Sequence, residues 1–420
     1  TQTTDRSVKG SRKPHHEQPT ALHLSIPSTG KRETIKGQGH GQASMPRGTR
    51  RNRGRGDFQQ LSLGLSLSNR NLSLPLPLVS LNPLASPASF VIPVFSLNLT
   101  VKFLPAFFLS VLTAFAAEGP KHSIEKLDPA LDALLASDAQ IETISNGGYT
   151  WSEGPAWYKG RVVFSDVPNN VAYQWIEGDA VASVFLKPSG TDEASPNQGS
   201  NGLAVDGEGR LLLCQHGSRR VARLGGDGKF VPLATKNHEG VRFNSPNDLC
   251  VAKDGAIYFT DPTYGLPKSE KSETPYHGVY KLATDGKVTL VTKEIQWPNG
   301  IALSLDQKSL YLAVSDGKNP RVATCALDGS GLRDVFLAAP LKSKERAGGC
   351  DGLRLDAKGN IWTTGPGGVL ILSPEGKHLG SILCGQATAN LTWGDDGHTL
   401  YITSKDRLLR VKTKVKGAGF

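Results

Sequence analysis

Between residues 153 and 404 this chain repeats one short pattern six times. The copies are "EGPAWYKGRVVFSDV" from Glu153, "NGLAVDGEGRLLLCQHG" from Asn201, "NDLCVAKDGAIYFTD" from Asn247, "NGIALSLDQKSLYLAVSD" from Asn299, "DGLRLDAKGNIWTTG" from Asp351 and "NLTWGDDGHTLYITS" from Asn390. Each opens on a residue with a side-chain oxygen, runs through a short apolar alternation, turns tightly and starts a second apolar strand. Five copies place a glycine seven or eight positions after the head: Gly160, Gly209, Gly255, Gly359 and Gly397. Glycine supplies the positive φ that two-residue hairpin turns need. The fourth copy has a slightly longer turn, Asp306-Gln307-Lys308, in its place.

Successive heads lie 48, 46, 52, 52 and 39 residues apart. Units of this length, rich in short strands and glycine turns, indicate a β-propeller and exclude helical repeats of similar period. Six units predict an all-β, six-bladed β-propeller over 118–420. The last unit has room for only three strands before Phe420, so "IETI" (141–144) is expected to supply the outer strand and close the ring.

In a propeller the first strand of every blade lines the central channel. The six heads therefore converge at one end of the axis: Glu153, Asn201, Asn247, Asn299, Asp351 and Asn390. One Asn or Asp ahead of a strand is explained by bonds to its own backbone. Six at a single repeat phase, with Glu and Asp among them, ask for another reason, because buried polar groups are costly unless bonded. The set offers carboxylate and amide oxygens without His or Cys. Such donors suit a hard divalent cation, Ca²⁺ first because it tolerates an irregular set, then Mg²⁺ or Mn²⁺, with Zn²⁺ the least suited candidate. A cation with open positions is a Lewis acid for hydrolysis.

The rest of the chain is different. The net charge is +10, but residues 1–100 hold 13 Lys+Arg against 4 Asp+Glu, or +9, so the repeats are nearly neutral. A nucleic-acid partner is therefore not expected for the repeat region. Residues 1–100 contain the Arg/Gly-rich "PRGTRRNRGRG" and the Leu/Ser/Pro run "LSLGLSLSNRNLSLPLPLVSLNPL". They read as disordered low-complexity sequence, with an RNA-binding Arg/Gly segment or a start assigned too far upstream as the other readings. Residues 101–117 follow a signal-peptide pattern: Lys102, an apolar run from Phe103 to Leu112, and Ala114-Phe115-Ala116 as the cleavage site. The run is too short to span a bilayer. It predicts export, periplasmic or extracellular, without stable membrane insertion.

The blocks "SEGPAW", "SNGLAVDGEGRLLLCQHGSRRV", "FNSPNDLCVAKDGAIYFTDPTYG", "WPNGIALSLDQKSLYL" and "DGLRLDAKGNIW" resemble, in order and spacing, the gluconolactonase / senescence-marker-protein (regucalcin) family. The resemblance covers most of 140–410. It implies a six-bladed propeller holding a divalent metal, usually Ca²⁺, and hydrolysis of sugar lactones, so a small-molecule partner. It implies metal ligands at Glu153, Asn299 and Asp351, a metal or substrate contact at Asn247, and a proton donor/acceptor at Asp351. Asn201 and His216 are the further candidates for substrate binding. A related hydrolase of aryl esters or organophosphates and a non-catalytic binding propeller are the alternative readings; the oligomeric state stays open.

Other residues carry weaker expectations. His216 could serve as a base facing the site, although a histidine bonded into the structure is the plainer reading. Arg219 and Arg220 read as surface charge rather than an acidic-substrate site, and Asp261 as a turn residue. The polar loop 264–278 is placed to cover one channel mouth. Gly352 is expected to leave the approach to Asp351 open. The five cysteines, Cys214, Cys250, Cys325, Cys350 and Cys384, show no metal spacing and read as buried free thiols, with export permitting one disulfide.

Overall fold

The computed structural model of the protein describes residues 121–191 and 198–420. The low-complexity segment and the signal-peptide pattern lie outside the described residues. Two strands precede the repeats, β1 (Ser123–Lys126) and β2 (Ile141–Ser145). Blade one is β3 (Ser152–Trp157), β4 (Val162–Asp166), β5 (Val171–Trp175) and β6 (Ser183–Leu186). Blade two is β7 (Ser200–Val205), β8 (Leu211–Gln215), β9 (Arg220–Leu224) and β10 (Phe230–Ala234). Blade three is β11 (Leu249–Val251), β12 (Ile257–Asp261), β13 (Gly278–Leu282) and β14 (Val288–Thr292). Blade four is β15 (Pro298–Leu303), β16 (Ser309–Val314), β17 (Arg321–Ala326) and β18 (Arg333–Leu337). Blade five is β19 (Leu353–Leu355), β20 (Ile361–Gly365), β21 (Gly368–Leu372) and β22 (His378–Leu383); blade six is β23 (Asn390–Gly394), β24 (Thr399–Ser404) and β25 (Arg407–Lys412).

The strands of each blade pair antiparallel in sequence order from channel to rim. The inner strands β3, β7, β11, β15, β19 and β23 each contact the next, and β23 returns to β3. The ring closes as expected: β2 is the fourth strand of blade six, with Ile141 opposite Val411 and Thr143 opposite Leu409 on β25. Unforeseen in the sequence, β1 adds a fifth strand to blade five, Ile124 opposite Ile382 on β22. Among the described residues the helical pieces are short 3-10 turns, and no helix is long and apolar enough to cross a membrane.

Each sheet is buried on both faces, which is why runs such as Leu211-Leu212-Leu213-Cys214 are apolar throughout rather than alternating. Six apolar clusters occupy the six seams between blades. Tyr258 and Val279 of blade three, for example, pack on Ile301, Leu310 and Leu312 of blade four. Burial of side chains of this size stabilises by about 1.5–3 kcal/mol each. All five cysteines are free, four of them buried, so the disulfide that export would permit is not formed.

The hairpin glycines adopt positive φ, and Gln307, at φ 60°, takes that place in the fourth copy. At the channel end the heads receive special geometry. The ladder slips between Glu153 and Ala156, between Ser200 and Leu203, and between Pro298 and Ile301. These bulges lie at the heads of blades one, two and four, and a bulge re-aims side chains that regular pleating would send into a seam. In blades three and five the heads Asn247 and Asp351 sit just ahead of their strands.

Candidate functional site

The channel opens at this end into a cavity of about 430 Å³. Its walls are Trp151, Val167, Pro168 and Tyr264, and its polar floor includes Glu153, Asn201, Asn247, Asn299 and Asp351. Five blades thus deliver five heads to one place. Four of them have a common defect by ordinary packing standards. Asn201 Oδ1, Asn247 Oδ1, Asn299 Oδ1 and Asp351 Oδ1 are buried without a hydrogen-bond partner among the described residues. Buried polar atoms are nearly always bonded, so four such oxygens in one cavity are arranged as donors for a ligand rather than for packing. Asn299 shows how its oxygen is aimed: its Nδ2 donates to Ser315 Oγ at 3.0 Å, and Ser315 in turn donates to Cys350 O at 2.5 Å.

Glu153 is braced instead. Its Oε2 accepts from Gly154 N at 2.9 Å and from Asn390 Nδ2 at 3.4 Å, and its Oε1 lies 3.5 Å from Trp151 Nε1. Asn390, the sixth head, does not reach the cavity. Its Oδ1 accepts from Leu391 N at 2.9 Å, and its Nδ2 also donates to Asp248 Oδ2 at 3.3 Å. The local-capping explanation therefore holds for Asn390.

Asp248 explains why the third copy begins Asn-Asp where four others have glycine in the second position. Glycine there reflects close approach of neighbouring blades. A Cβ on Gly154 would sit 2.1 Å from Asn201 O, on Gly300 2.3 Å from Asp351 O, and on Gly352 2.1 Å from Asn390 Oδ1. Gly352 is thus a packing contact with blade six, not an open approach to Asp351. Asp248 fills the corresponding space with a fully buried carboxylate, 3.3 Å from Arg354 Nη1. Sequence reading missed Asp248 and Arg354, although the odd second residue of the third copy marked the first of them.

Burial, followed by repulsion from Asp248 and against the bond from Gly154 N, raises the pKa of Glu153. Burial, then repulsion from Glu153 and Asp248, raises that of Asp351. Three carboxylates faced by one guanidinium leave two negative charges uncompensated when all are ionised. A divalent cation matches that deficit. Among the described residues no group of three His, Cys, Asp or Glu side chains is arranged to hold a metal by itself. The donor set here is mixed carboxylate and amide, which fits a hard cation.

The remaining candidates fall on both sides of expectation. His216 lines the cavity and is 2% exposed, yet neither ring nitrogen has a hydrogen-bond partner among the described residues, so it is not a histidine bonded into the structure. Burial lowers its pKa to about 4. Arg219 and Arg220 are not surface charges. Arg219 donates to Phe243 O and Asn244 O and pairs with Glu270 and Glu273 of the loop, and Arg220 donates to Gln215 Oε1 at 2.6 Å. Asp261 ends β12 and accepts from Asn244 N and Ser245 N, each at 2.8 Å; burial raises it to about 7 against those bonds. The loop after it brings Tyr264 and Gly265 to the cavity wall.

A closed six-bladed β-propeller with acid and amide oxygens at the head of its channel is the class this fold and site define. The chain belongs to the SMP-30/Gluconolactonase/LRE-like family, whose profile it matches over residues 151–406. It is 38% identical over 311 residues to a gluconolactonase of Zymomonas mobilis subsp. mobilis, covering 70% of this chain and 87% of that protein. A solved gluconolactonase from Xanthomonas campestris is 32% identical with a TM-score of 0.61, over 69% of this chain and 94% of that one. A further solved structure, of a putative gluconolactonase, is 31% identical with a TM-score of 0.62, over 71% of this chain and 100% of that one.

Proposed function

We propose that the protein is a divalent-metal-dependent lactonase that opens sugar lactones to hydroxy acids. The observation that carries the reading is the set of four buried, unpartnered oxygens from four blades, one of them on Asp351, with the Glu153 carboxylate beside them. The gluconolactonase relatives support the choice of lactone as substrate.

Glu153, Asn299 and Asp351 would hold the ion, with Asn247 and Asn201 contributing to it or to the substrate. Flexible oxygen donors of this kind favour Ca²⁺ over Mg²⁺. When bound, the cation polarises the lactone carbonyl and makes water more acidic. Asp351, whose Oδ1 carries no hydrogen bond, takes the proton of the attacking water. It returns that proton to the ring oxygen as the C–O bond breaks. Glu153, held by Gly154 and Asn390, stays in place as a ligand. The walls of Trp151 and Tyr264 exclude water from the apolar side of the substrate.

The test is a panel of sugar lactones assayed before and after chelation, with Ca²⁺, Mg²⁺, Mn²⁺ and Zn²⁺ each added back. Hydrolysis lost on chelation and restored most fully by Ca²⁺ is the expected result. Unchanged hydrolysis in a protein free of metal by elemental analysis would remove the ion from the reading. We also propose export on the strength of the pattern at 101–117, tested by fractionation and N-terminal sequencing of the expressed full chain.

A further inference from the structure

The site holds a polar group that the proposed lactone chemistry does not use. His216 follows β8, with its backbone N bonded to Gly199 O at 3.2 Å and its O accepting from Arg219 N at 3.1 Å. The loop of blade three packs directly on the imidazole: a Cβ on Gly265 would sit 2.2 Å from His216 Cγ and Nδ1. Tyr264 beside it is itself held by stacking on Trp297, ring centroids 5.4 Å apart. The ring is thus clamped against the cavity with both nitrogens unpartnered among the described residues.

We infer that His216 is a specificity-determining residue that reads a hydroxyl of the substrate, selecting polyhydroxylated lactones over plain aliphatic ones. The inference rests on the lactonase reading above. Its chemistry follows from the inventory of the ring. With its pKa lowered to about 4 by burial, the imidazole is neutral near pH 7 and presents one donor and one acceptor. The alkyl carbons of a plain lactone satisfy neither, and its two oxygens lie at the reacting ester. A sugar hydroxyl both donates and accepts, so it can pair with a ring nitrogen in either role. A site whose buried polar groups need the substrate's hydroxyl rejects the analogue without it far more strongly than an apolar pocket rejects a small change of shape.

The experiment compares D-glucono-δ-lactone with δ-valerolactone on the full-length protein saturated with Ca²⁺. The variants are His216→Phe, which keeps the ring volume, and His216→Gln, which keeps a donor and an acceptor. The expected result is that His216→Phe shrinks the kcat/KM preference for the sugar lactone by about 10–100-fold, the size of one buried hydrogen bond lost. His216→Gln should recover a large part of it, and thermal unfolding should stay unchanged in both. Where δ-valerolactone is too slow to measure, the sugar lactone alone decides: a raised KM with kcat within about threefold supports the contact. Equal losses on the two lactones, or a lowered kcat at unchanged KM, would overturn it and make His216 part of the chemistry. An unchanged preference would overturn it too. If the unmutated protein hydrolyses neither lactone, the lactonase reading itself fails, an outcome distinct from all of these.

Discussion

Asp351 and Glu153 reach the cavity by the same repeat phase but are not equivalent. Both Glu153 oxygens have protein contacts, whereas Asp351 Oδ1 has none among the described residues. The free oxygen can accept a proton; the braced one is better placed to hold position. Asp351→Asn is therefore expected to lose at least about a hundredfold in turnover at saturating metal, the low end of general acid–base contributions. Its unfolding transition should persist, since Asn stands at other heads. Ser315 acts one step back by fixing the Asn299 amide, so Ser315→Ala should weaken the metal about 10–100-fold by calorimetry, as loss of such supporting bonds does. The heads were legible because one phase repeats six times along the chain. Asp248 was not, because a residue that departs from glycine at the second position, as Leu391 also does, does not reveal which blade it packs against. Arg219 was misread for a related reason: its partners Phe243, Glu270 and Glu273 lie 24, 51 and 54 residues away and meet it only after folding.

At the scale of strands, the bulges and the second-position glycines act together. A bulge turns the head toward the axis, and the glycine after it lets the next blade come within bonding distance: Gly300 N donates to Asp351 O at 2.9 Å. Gly300→Ala would put a Cβ 2.3 Å from that backbone oxygen, which no rotamer change relieves. A loss of about 1–3 kcal/mol in denaturant unfolding is expected, the usual cost of overpacking, together with weaker metal binding. Strand β1 was invisible in the sequence because its four residues, "SIEK", carry no turn chemistry of the repeat. Its Glu125 accepts from Arg346 at 2.7 Å and Ser381 at 3.1 Å. Burial disfavours its ionised form, but these partners outweigh it and hold the pKa below the ordinary 4.5. A depressed carboxylate stabilises the fold above its unfolded pKa, and this contribution fades as pH falls through the folded value. Unmutated protein should therefore lose more stability than Glu125→Gln on acidification below about pH 4.5, a range that model carboxylate values set, and parallel melting curves in that range would show that the contact is not linked to protonation.

At the scale of the molecule, a propeller must solve one problem that its blades cannot solve singly: the last must be joined to the first. Here β2 does so from the N-terminal side, pairing with β25 while Ser145 Oγ accepts from Ala182 N of blade one at 2.9 Å. The seam beneath it packs Tyr149, Phe164 and Trp175 on Tyr401 and Leu408. Closure and ligand binding are thereby separated. The unpartnered oxygens come from blades two, three, four and five, Glu153 comes from blade one, and blade six contributes a bracing Asn390 instead. The ion, if it ties five blades together at the axis, should stabilise the native ring by mass action, about 2.7 kcal/mol at a hundredfold excess over its dissociation constant. The outer strand should act independently of it. A chain beginning at Lys121 is expected to unfold in one cooperative transition that Ca²⁺ moves upward. A chain beginning at Asn146 keeps every cavity oxygen but lacks β1, the apolar turn of Leu131, Leu134 and Leu135, and β2, so the β22 and β25 edges are unpaired and Leu409 and Val411 lose their cover. It should melt well below the longer chain or aggregate, with Ca²⁺ unable to restore the difference, because a cation held at the heads would make no contact with the rim. Equal melting temperatures for the two chains would mean that the apolar seam alone closes the ring and that β2 is an ornament on its edge.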